Sequence, residues 1–282
     1  MNAPIPLSGA APPAAETAAG AVDWSLVRVR GTRREPATAS IALEVPIAFE
    51  YNGVSHAVML ATPCDLEDFA LGFSLSEGIV DATSDLYGVE VHSAQAGFTL
   101  AIEVASAAFA RLKEKRRTLA GRTGCGICGA ESLAQVLRPL PALAARGPRI
   151  DAHVLSRAHA QLAAAQPLQR ATGATHGAVW CTPDGAVAAA REDVGRHNAL
   201  DKLIGALARA RVDTGQGFAL ITSRASVEMV QKSATAGIAL LAAVSAPTAL
   251  AVRVADECGQ TLIGFARGAD FSIYTHPQRV RF

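Results

Sequence analysis

The sequence lacks any uninterrupted apolar run of about 18 residues, the length that a transmembrane helix requires. The closest approach, Gly237 to Leu250, is shorter and contains Ser245 and Pro247. The N-terminus also lacks a cationic start followed by an apolar segment, so we find no secretory signal peptide. From these absences we expect a cytoplasmic protein that does not associate with a membrane.

The sequence has little excess charge, because 26 Lys and Arg residues face 25 Asp and Glu residues, for a net charge of +1. A protein with no overall basic field has no general affinity for nucleic acid, so we expect no nucleic-acid partner. Half of the residues are hydrophobic, which predicts a well-filled core and excludes a disordered chain. Residues 1–21 are the exception, since this Ala- and Pro-rich stretch is predicted to be a disordered tail.

Cysteine is scarce, with five residues in 282, and two of them form a CxxC pair, Cys125 and Cys128. Four glycines surround this pair between Gly121 and Gly129, which predicts a mobile, exposed loop over residues 121–130. Nearby positive charge favours the thiolate, the nucleophilic form of cysteine. The basic residues that precede the pair are Arg111, Lys113, Lys115, Arg116, Arg117 and Arg122.

Two other readings of the CxxC pair stay open at this point. A structural zinc site would need two more ligands, but the sequence contains no second CxxC, no CxxH and no HxxxH. A thioredoxin-like dithiol begins a helix directly after a strand, whereas this pair has glycines on both sides. The chain also lacks the H-x-E pattern of a zinc deaminase. Gly177 and Ala178 follow His176, so no catalytic Glu stands two residues after it. We expect no permanent metal.

The N-terminal half, residues 22–120, shows mostly strand patterns. The alternation changes phase between Leu26 and Val27, which predicts a bulge or a strand end there. Asn52-Gly53 predicts a hairpin turn. Thr62-Pro63-Cys64-Asp65 reads as a helix start, and the residues at i, i+3, i+4 and i+7 predict one buried face. That face consists of Leu66, Phe69, Ala70 and Phe73.

The C-terminal half, residues 131–282, alternates between strand and helix patterns, which predicts a layered α/β fold with some parallel pairing. An amphipathic helix is predicted over Asn198–Arg211, with a buried face that begins at Leu200. A buried strand is predicted at residues 218–222, a helix over Val227–Ala243 and a short strand over Ala249–Val254.

Two segments of this half have the composition of an anion site. Arg196 and His197 immediately precede the predicted amphipathic helix, and helix N-termini bind anions. Ser223 and Arg224 follow the buried strand, at the end where α/β folds bind ligands. The alternatives are a solvated capping segment with internal ion pairs and an ordinary Ser N-cap.

A third segment, Phe265–Asp270, has an Arg and an Asp on either side of a Gly between two short strands. Arg267 is suited to a phosphate, and Asp270 could accept the two N–H donors of a guanine edge. A plain hairpin turn has the same composition and stays open as the alternative.

Several motifs together identify a family, because they occur in its order and none of them carries the case alone. The chain resembles the FdhD family of formate dehydrogenase accessory sulfurtransferases from about Arg30 to its C-terminus. The motifs that carry the resemblance are Thr123 to Gly129, Thr172 to His176, Glu192 to Lys202, Ser223-Arg224 and Phe265 to Arg267.

The resemblance implies a sulfurtransferase that takes sulfur from a cysteine desulfurase as a cysteine persulfide. It implies transfer of that sulfur to the molybdenum bis(molybdopterin guanine dinucleotide) cofactor before the cofactor enters formate dehydrogenase. Cys125 would carry the persulfide, and Cys128 would be the second, less critical thiol. The cofactor stretch would be Phe265, Ala266, Arg267, Gly268, Ala269 and Asp270, with GDP as a partial mimic of the cofactor.

The resemblance also implies a homodimer and an architecture. The expected fold class is α/β, with a cytidine-deaminase-like three-layer C-terminal core and a smaller β-rich N-terminal subdomain. Two other functions remain as hypotheses. A cofactor chaperone without sulfur chemistry would not need the cysteines, whereas a thiol–disulfide oxidoreductase would cycle Cys125 and Cys128 as a disulfide.

Overall fold

The computed structural model describes residues 20–119 and 139–282, and its chain begins with an antiparallel hairpin. Strand β1 (Ala21–Arg30) pairs with β2 (Arg33–Ala42) along its whole length without a register shift. The predicted break between Leu26 and Val27 is therefore wrong. Most side chains on both faces of β1 are exposed, so no buried face requires a regular alternation.

The hairpin is followed by a four-stranded sheet with the order β4-β3-β6-β5. Helices α1 and α2 pack on one face of this sheet around a core that contains Phe49 and Phe69. The predicted Asn52-Gly53 turn is confirmed, with φ values of 45° and 78°. The elements are β3 (Val45–Tyr51), β4 (Val54–Ala61), α1 (Leu66–Ser76), β5 (Leu86–Ala94), β6 (Gly97–Val104) and α2 (Ser106–Leu119).

Helix α1 begins later than the sequence predicts. Asp65, in a left-handed conformation with φ 53°, precedes the first helical residue, Leu66, and no side chain caps the helix. Thr62 is fully buried, and its hydroxyl accepts a hydrogen bond from the Val194 amide at 3.2 Å. Thr62 thus joins the two halves of the chain instead of capping a helix. The predicted buried face of α1 is confirmed at Leu66, Phe69, Ala70 and Phe73.

The C-terminal half is built on a six-stranded sheet with the order β13-β12-β11-β10-β8-β9. Strands β10, β11 and β12 run parallel, and the other neighbours in the sheet are antiparallel. Its elements are α3 (His153–Ala165), α4 (Pro167–Thr172), β8 (His176–Cys181), β9 (Val187–Asp193), α5 (Arg196–Arg209), β10 (Phe218–Ile221), α6 (Val227–Thr235), β11 (Leu240–Ala243), α7 (Ala249–Cys258), β12 (Thr261–Arg267) and β13 (Asp270–Thr275). Outside this sheet, β7 (Ile150–Asp151) pairs with β14 (Val280–Arg281).

Helices cover both faces of the six-stranded sheet. Ala219 and Ile221 face a core formed with α5, α6 and α7, whereas Phe218 and Leu220 face a core formed with α3. Alternate residues of one strand point to opposite faces, so the sheet is the middle of three layers. The predicted α/β class and three-layer architecture are confirmed.

Two predicted elements in this half are wrong. The helix expected over Val227–Ala243 ends at Thr235, and Gly237, with φ 77°, turns the chain into strand β11. The strand expected over Ala249–Val254 is instead helix α7, whose first turn is capped by Thr248. Short buried runs of alanine, leucine and valine carry no clear period, so pattern alone does not distinguish these two structures.

The two halves meet where α1 crosses α5 through a pair of glycines. A Cβ on Gly72 would lie 1.7 Å from the carbonyl oxygen of Asp201, and one on Gly205 would lie 1.9 Å from that of Asp68. No side chain fits at either position, so the backbones of the two helices touch. In the described part of the chain, no helix has the length and apolar character needed to span a membrane.

Candidate functional site

The predicted anion-binding segments come together at one edge of the six-stranded sheet. We call this the carboxyl edge: it is where β9, β10, β11 and β12 end and where β8 begins. Residues 222–226 follow β10 there, residues 244–248 follow β11, and residues 194–197 run from the end of β9 into the first turn of α5. Ser223, Arg224, Arg196, His197 and the end of β12 therefore belong to one region of the surface.

Backbone hydrogen bonds hold the loops of this edge together. Ala225 donates to the carbonyl of Ala246 at 3.2 Å, and Thr248 donates to the carbonyl of Ala225 at 3.0 Å. A third hydrogen bond reaches β12, where the Phe265 amide donates to the carbonyl of Ser245 at 3.2 Å. The carboxyl edge is thus a connected surface and not a set of independent loops.

Arg267 extends from β12 back over this surface. Its Nε donates to the carbonyl of Val244 at 2.9 Å, which fixes the direction of the guanidinium. Of the neighbouring predicted residues, Ala266 faces the core and Gly268 has a φ of 59°. Asp270 is exposed and pairs with Arg267 in the strand register, so both side chains are available at the rim.

Phe265 has an unusual backbone conformation for an aromatic residue. Its φ is 55°, in the left-handed region that side chains disfavour, and the ladder between β12 and β13 shifts register beside it. Its side chain is 42% exposed. A strained residue that presents an apolar ring to solvent is a feature of binding surfaces.

Three helices direct their N-termini at the carboxyl edge. Thr248 caps α7 through a bond from the Ala251 amide at 3.3 Å. In contrast, neither Gly195 at the start of α5 nor Ser226 at the start of α6 makes a side-chain cap. The Ser226 hydroxyl is buried without a hydrogen-bond partner among the described residues. Uncapped N–H groups and an unpaired hydroxyl are donors ready for an anion.

The first turn of α5 adds the side chains of Arg196 and His197. Arg196 Nε is buried without a hydrogen-bond partner in the described structure, and His197 Nε2 lies 2.7 Å from Glu228 Oε2. The hydrogen bond from His197 keeps the pKa of Glu228 below its usual value. Burial and then the charges of Arg196 and His197 lower the pKa of His176. The electrostatic environment therefore favours a bound anion.

The residues of the motif from Glu192 to Lys202 have three different roles. The sequence analysis predicted one of them, anion binding by Arg196 and His197. Glu192 caps α4, since its carboxylate accepts from the amides of Leu168 at 2.9 Å and Gln169 at 2.7 Å. Asp193 and Lys202 form a fully buried ion pair at 2.7 Å. Arg196 and His197, which lie between these residues in the sequence, present their side chains at the carboxyl edge.

A second buried ion pair lies in the contact between α1, α5 and α6, and the sequence analysis missed it too. Lys232 Nζ lies 2.8 Å from Asp201 Oδ2 and 2.6 Å from Glu77 Oε1. Burial alone would lower the pKa of Lys232, but these carboxylates outweigh it and raise the pKa, so the lysine stays charged. The sequence feature that could have revealed such pairs is the helical spacing of Asn198, Asp201, Lys202 and Gly205. This spacing places a polar face beside the apolar face of α5.

Cys125 and Cys128 lie outside the described residues. The three described cysteines are poorly suited to nucleophilic chemistry, because burial raises the pKa of each thiol, to about 12 for Cys181. Cys64 is half-buried, and Cys181 and Cys258 are buried. Among residues 20–119 and 139–282, no group of three or more His, Cys, Asp or Glu side chains is placed to hold a metal.

The described chain resumes at residue 139 and packs at the opposite edge of the sheet, where β12 begins. Leu143 is fully buried there, and its amide donates to the carbonyl of Cys258, at the end of α7, at 2.7 Å. Arg279 donates to the carbonyl of Leu143 at 2.6 Å and to Thr261 Oγ1, at the start of β12, at 2.9 Å. The chain around Leu143, which follows the undescribed residues, and the anion-binding residues are therefore on opposite edges of one sheet.

Comparison with known proteins gives a consistent result. A family model described as the FdhD/NarQ family matches residues 42–281. A Variovorax paradoxus protein named Sulfur carrier protein FdhD is 57% identical over 258 residues, which cover 90% of this chain and 92% of the relative. A Cupriavidus necator protein of the same name is 58% identical over 241 residues, covering 86% of this chain and 83% of the relative.

A solved structure supports the fold. The crystal structure of a protein from Desulfotalea psychrophila, described as a formate dehydrogenase accessory protein, superposes with a TM-score of 0.72. The match covers 93% of this chain and 99% of the other at 22% sequence identity. At that identity the likeness establishes the architecture, including the three-layer core and the N-terminal sheet.

Proposed function

This chain belongs to the FdhD/NarQ family, and we propose that it is a sulfurtransferase that serves formate dehydrogenase. The observation that carries this proposal is the identity of more than half of the residues, over about nine-tenths of the chain, with relatives named Sulfur carrier protein FdhD. The solved neighbour, described as a formate dehydrogenase accessory protein, agrees with it.

We propose that Cys125 carries the sulfur. Its thiolate attacks the outer sulfur of a cysteine desulfurase persulfide, so that one S–S bond forms on Cys125 while the S–S bond of the donor breaks. The donor leaves as a thiolate, and no net oxidation occurs. If Cys128 then attacks the inner sulfur of Cys125, hydrosulfide is released, and the two electrons come from formation of a Cys125–Cys128 disulfide.

The acceptor in this proposal is the bis(molybdopterin guanine dinucleotide) cofactor, a substrate with guanosine diphosphate arms. The carboxyl edge supports it, because uncapped helix N-termini and the side chains of Arg196, Arg224 and Arg267 suit a diphosphate. The exposed ring of Phe265 is suited to stack on a purine. A homodimer in the cytoplasm would present two such edges, one for each arm of the cofactor.

The test of sulfur loading is intact-protein mass spectrometry after incubation with a cysteine desulfurase and cysteine. The wild type is expected to gain sulfur, and Cys125→Ala is expected to gain none. Cys64→Ala is the matched control, because Cys64 is the most accessible of the described thiols, and it should load like the wild type. Loading of Cys125→Ala at the wild-type level would contradict the assignment.

The test of delivery is the maturation of formate dehydrogenase in cells. Cys125→Ala should abolish enzyme activity, while Cys64→Ala should retain it. If both cysteines of the CxxC pair prove dispensable while Arg267→Ala abolishes maturation, the protein is a cofactor chaperone without sulfur chemistry. A thiol–disulfide oxidoreductase would instead show a CxxC disulfide with a defined potential and no persulfide.

A further inference from the structure

The turn that leads into α5 is held by one buried carboxylate. Asp193, which is fully buried, accepts four hydrogen bonds, and two of them come from its own turn. Its Oδ1 accepts from the Gly195 amide at 2.7 Å and from Asn198 Nδ2 at 3.0 Å. These bonds set the conformation of the two residues that directly precede Arg196.

The other two bonds to Asp193 come from outside the turn. Its Oδ2 accepts from the Thr62 amide at 3.0 Å and from Lys202 Nζ at 2.7 Å. Lys202 also donates to the carbonyl of Thr62 at 2.9 Å, so a single ammonium group links the Asp193 carboxylate to the chain at Thr62. Around it, Asn198 donates to Leu60 at 2.9 Å, and Val194 donates to the Thr62 hydroxyl at 3.2 Å.

Lys202 is thus a buried cation between the N-terminal sheet and the turn that presents Arg196 and His197. It is fully buried and does not reach the carboxyl edge itself. Without its charge, the Asp193 carboxylate would lose its counterion in a site that excludes water, and the turn would rearrange around it.

We propose that Lys202 is a positioning residue for anion binding, which acts by holding Asp193 and hence the first turn of α5. The inference rests on the proposed function, because the anion is the diphosphate of the nucleotide arm. It assigns to the N-terminal subdomain a part in the cofactor site, through the turn at Thr62.

The chain contains a matched control in Lys232. Both lysines are buried, and each is paired with an aspartate at 2.7 or 2.8 Å. Each also lies over a phenylalanine ring of α1, Phe69 for Lys202 at 5.6 Å and Phe73 for Lys232 at 5.4 Å. The difference is that the partners of Lys232, which are Asp201, Glu77 and Ser76, do not belong to the turn before α5.

The experiment is titration calorimetry of the full-length protein with GDP, for the wild type, Lys202→Met and Lys232→Met. Methionine keeps an unbranched side chain, one atom shorter than that of lysine, and removes the charge. Thermal unfolding should show both variants to be destabilised. Lys202→Met should bind GDP at least about tenfold more weakly with an unchanged number of sites, whereas Lys232→Met should remain within about twofold of the wild type.

The number of sites separates positioning from partial unfolding. A variant that is partly unfolded loses sites but keeps the wild-type affinity in the folded fraction, so it would not reproduce the expected result. If Lys202→Met does not fold, Thr62→Val replaces it, since this change removes only the hydroxyl that accepts from Val194. Thr62→Val should weaken GDP binding several-fold.

Three results would overturn the inference. One is a GDP affinity of Lys202→Met, or of Thr62→Val in its place, that equals the wild-type value. Another is an equal loss of affinity in Lys232→Met, which would show that any damage to the contact between the halves has this effect. The third is a wild type that binds no GDP, which would also remove the nucleotide part of the proposed function. In the first two cases that proposed function would stand.

Discussion

The contact between α1 and α5 and the carboxyl edge contain similar side chains, but they differ in how those side chains are partnered. In the contact, the charges of Lys202 and Lys232 are buried against carboxylates at 2.7 and 2.8 Å. At the edge, Arg196 Nε and the Ser226 hydroxyl have no hydrogen-bond partner among the described residues, and Arg224 is exposed.

This difference separates polar groups that build the structure from polar groups that await a ligand. A buried polar group without a partner in the chain is costly, and a bound ligand or a water molecule can supply the missing hydrogen bond. A buried ion pair with further hydrogen bonds is already complete, and it fixes one arrangement of the two halves. Apart from Lys202, which we propose acts on both, changes in the contact should therefore act on stability, and changes at the edge on binding.

The largest effect is expected from the glycine pair. Gly205→Ala would place a Cβ 1.9 Å from the Asp68 carbonyl oxygen, so α1 and α5 would have to separate. We expect a loss of about 3 kcal/mol or more in the free energy of unfolding, measured with urea. Gly88→Ala is the control, since its Cβ would meet no atom within 4 Å, and a loss there as large as in Gly205→Ala would refute the explanation.

The next effect concerns the second buried ion pair. Asp201→Ala removes one of the two carboxylates that pair with buried Lys232 and leaves Glu77 as its partner, which should cost about 2–3 kcal/mol of stability. Asp151→Ala breaks the exposed pair with Arg281 and should cost less than about 1 kcal/mol. Equal losses, measured by denaturant unfolding, would show that burial does not distinguish these pairs.

The edge should respond in the opposite way. Arg224→Ala removes an exposed guanidinium, so we expect the free energy of unfolding to change by no more than about 0.5 kcal/mol. GDP affinity should fall about tenfold, as expected for a lost charge-assisted contact to phosphate. Arg253→Ala, which removes an exposed arginine of α7, tests for a general effect of net charge and should leave GDP binding unchanged.

The smallest effect is a pH dependence of binding. Burial and the neighbouring cations lower the pKa of His176 in the free protein, and a bound phosphate would offset those cations and raise it. Binding would then take up a proton, so GDP affinity should rise about threefold as pH falls from 8 to 6. His176→Gln should show a flatter profile than the wild type, and identical profiles would exclude His176 as the titrating group.

The local features of the fold were predictable from sequence where one clear signal dominated. The Asn52-Gly53 turn and the apolar face of α5 were found because turn chemistry and helical periodicity act within a few residues. Strand β11 and helix α7 were missed, because both come from runs of small apolar residues whose structure depends on neighbours in the sheet.

The candidate site was predictable in part for a similar reason. Ser223 and Arg224 were predicted from the rule that parallel strands bring their carboxyl ends to one edge, and the structure places Arg196 and Arg267 at that same edge. Their part in binding stays a prediction. The structural roles of Asp193 and Lys202 were not predicted, because a charged residue in a motif suggests a ligand-binding residue. Only the three-dimensional structure shows that both side chains bond to the backbone of Thr62.

Phe265 shows what the carboxyl edge demands of the chain. A residue with a side chain in the left-handed region is less favourable than glycine there by about 1–2 kcal/mol. Selection for a durable fold alone would therefore place glycine at this position, and a chain evolved in the laboratory for heat resistance should drift towards it. The aromatic ring is retained only if its role at the binding surface outweighs this loss of stability. Phe265 is thus a position where function and stability favour different residues.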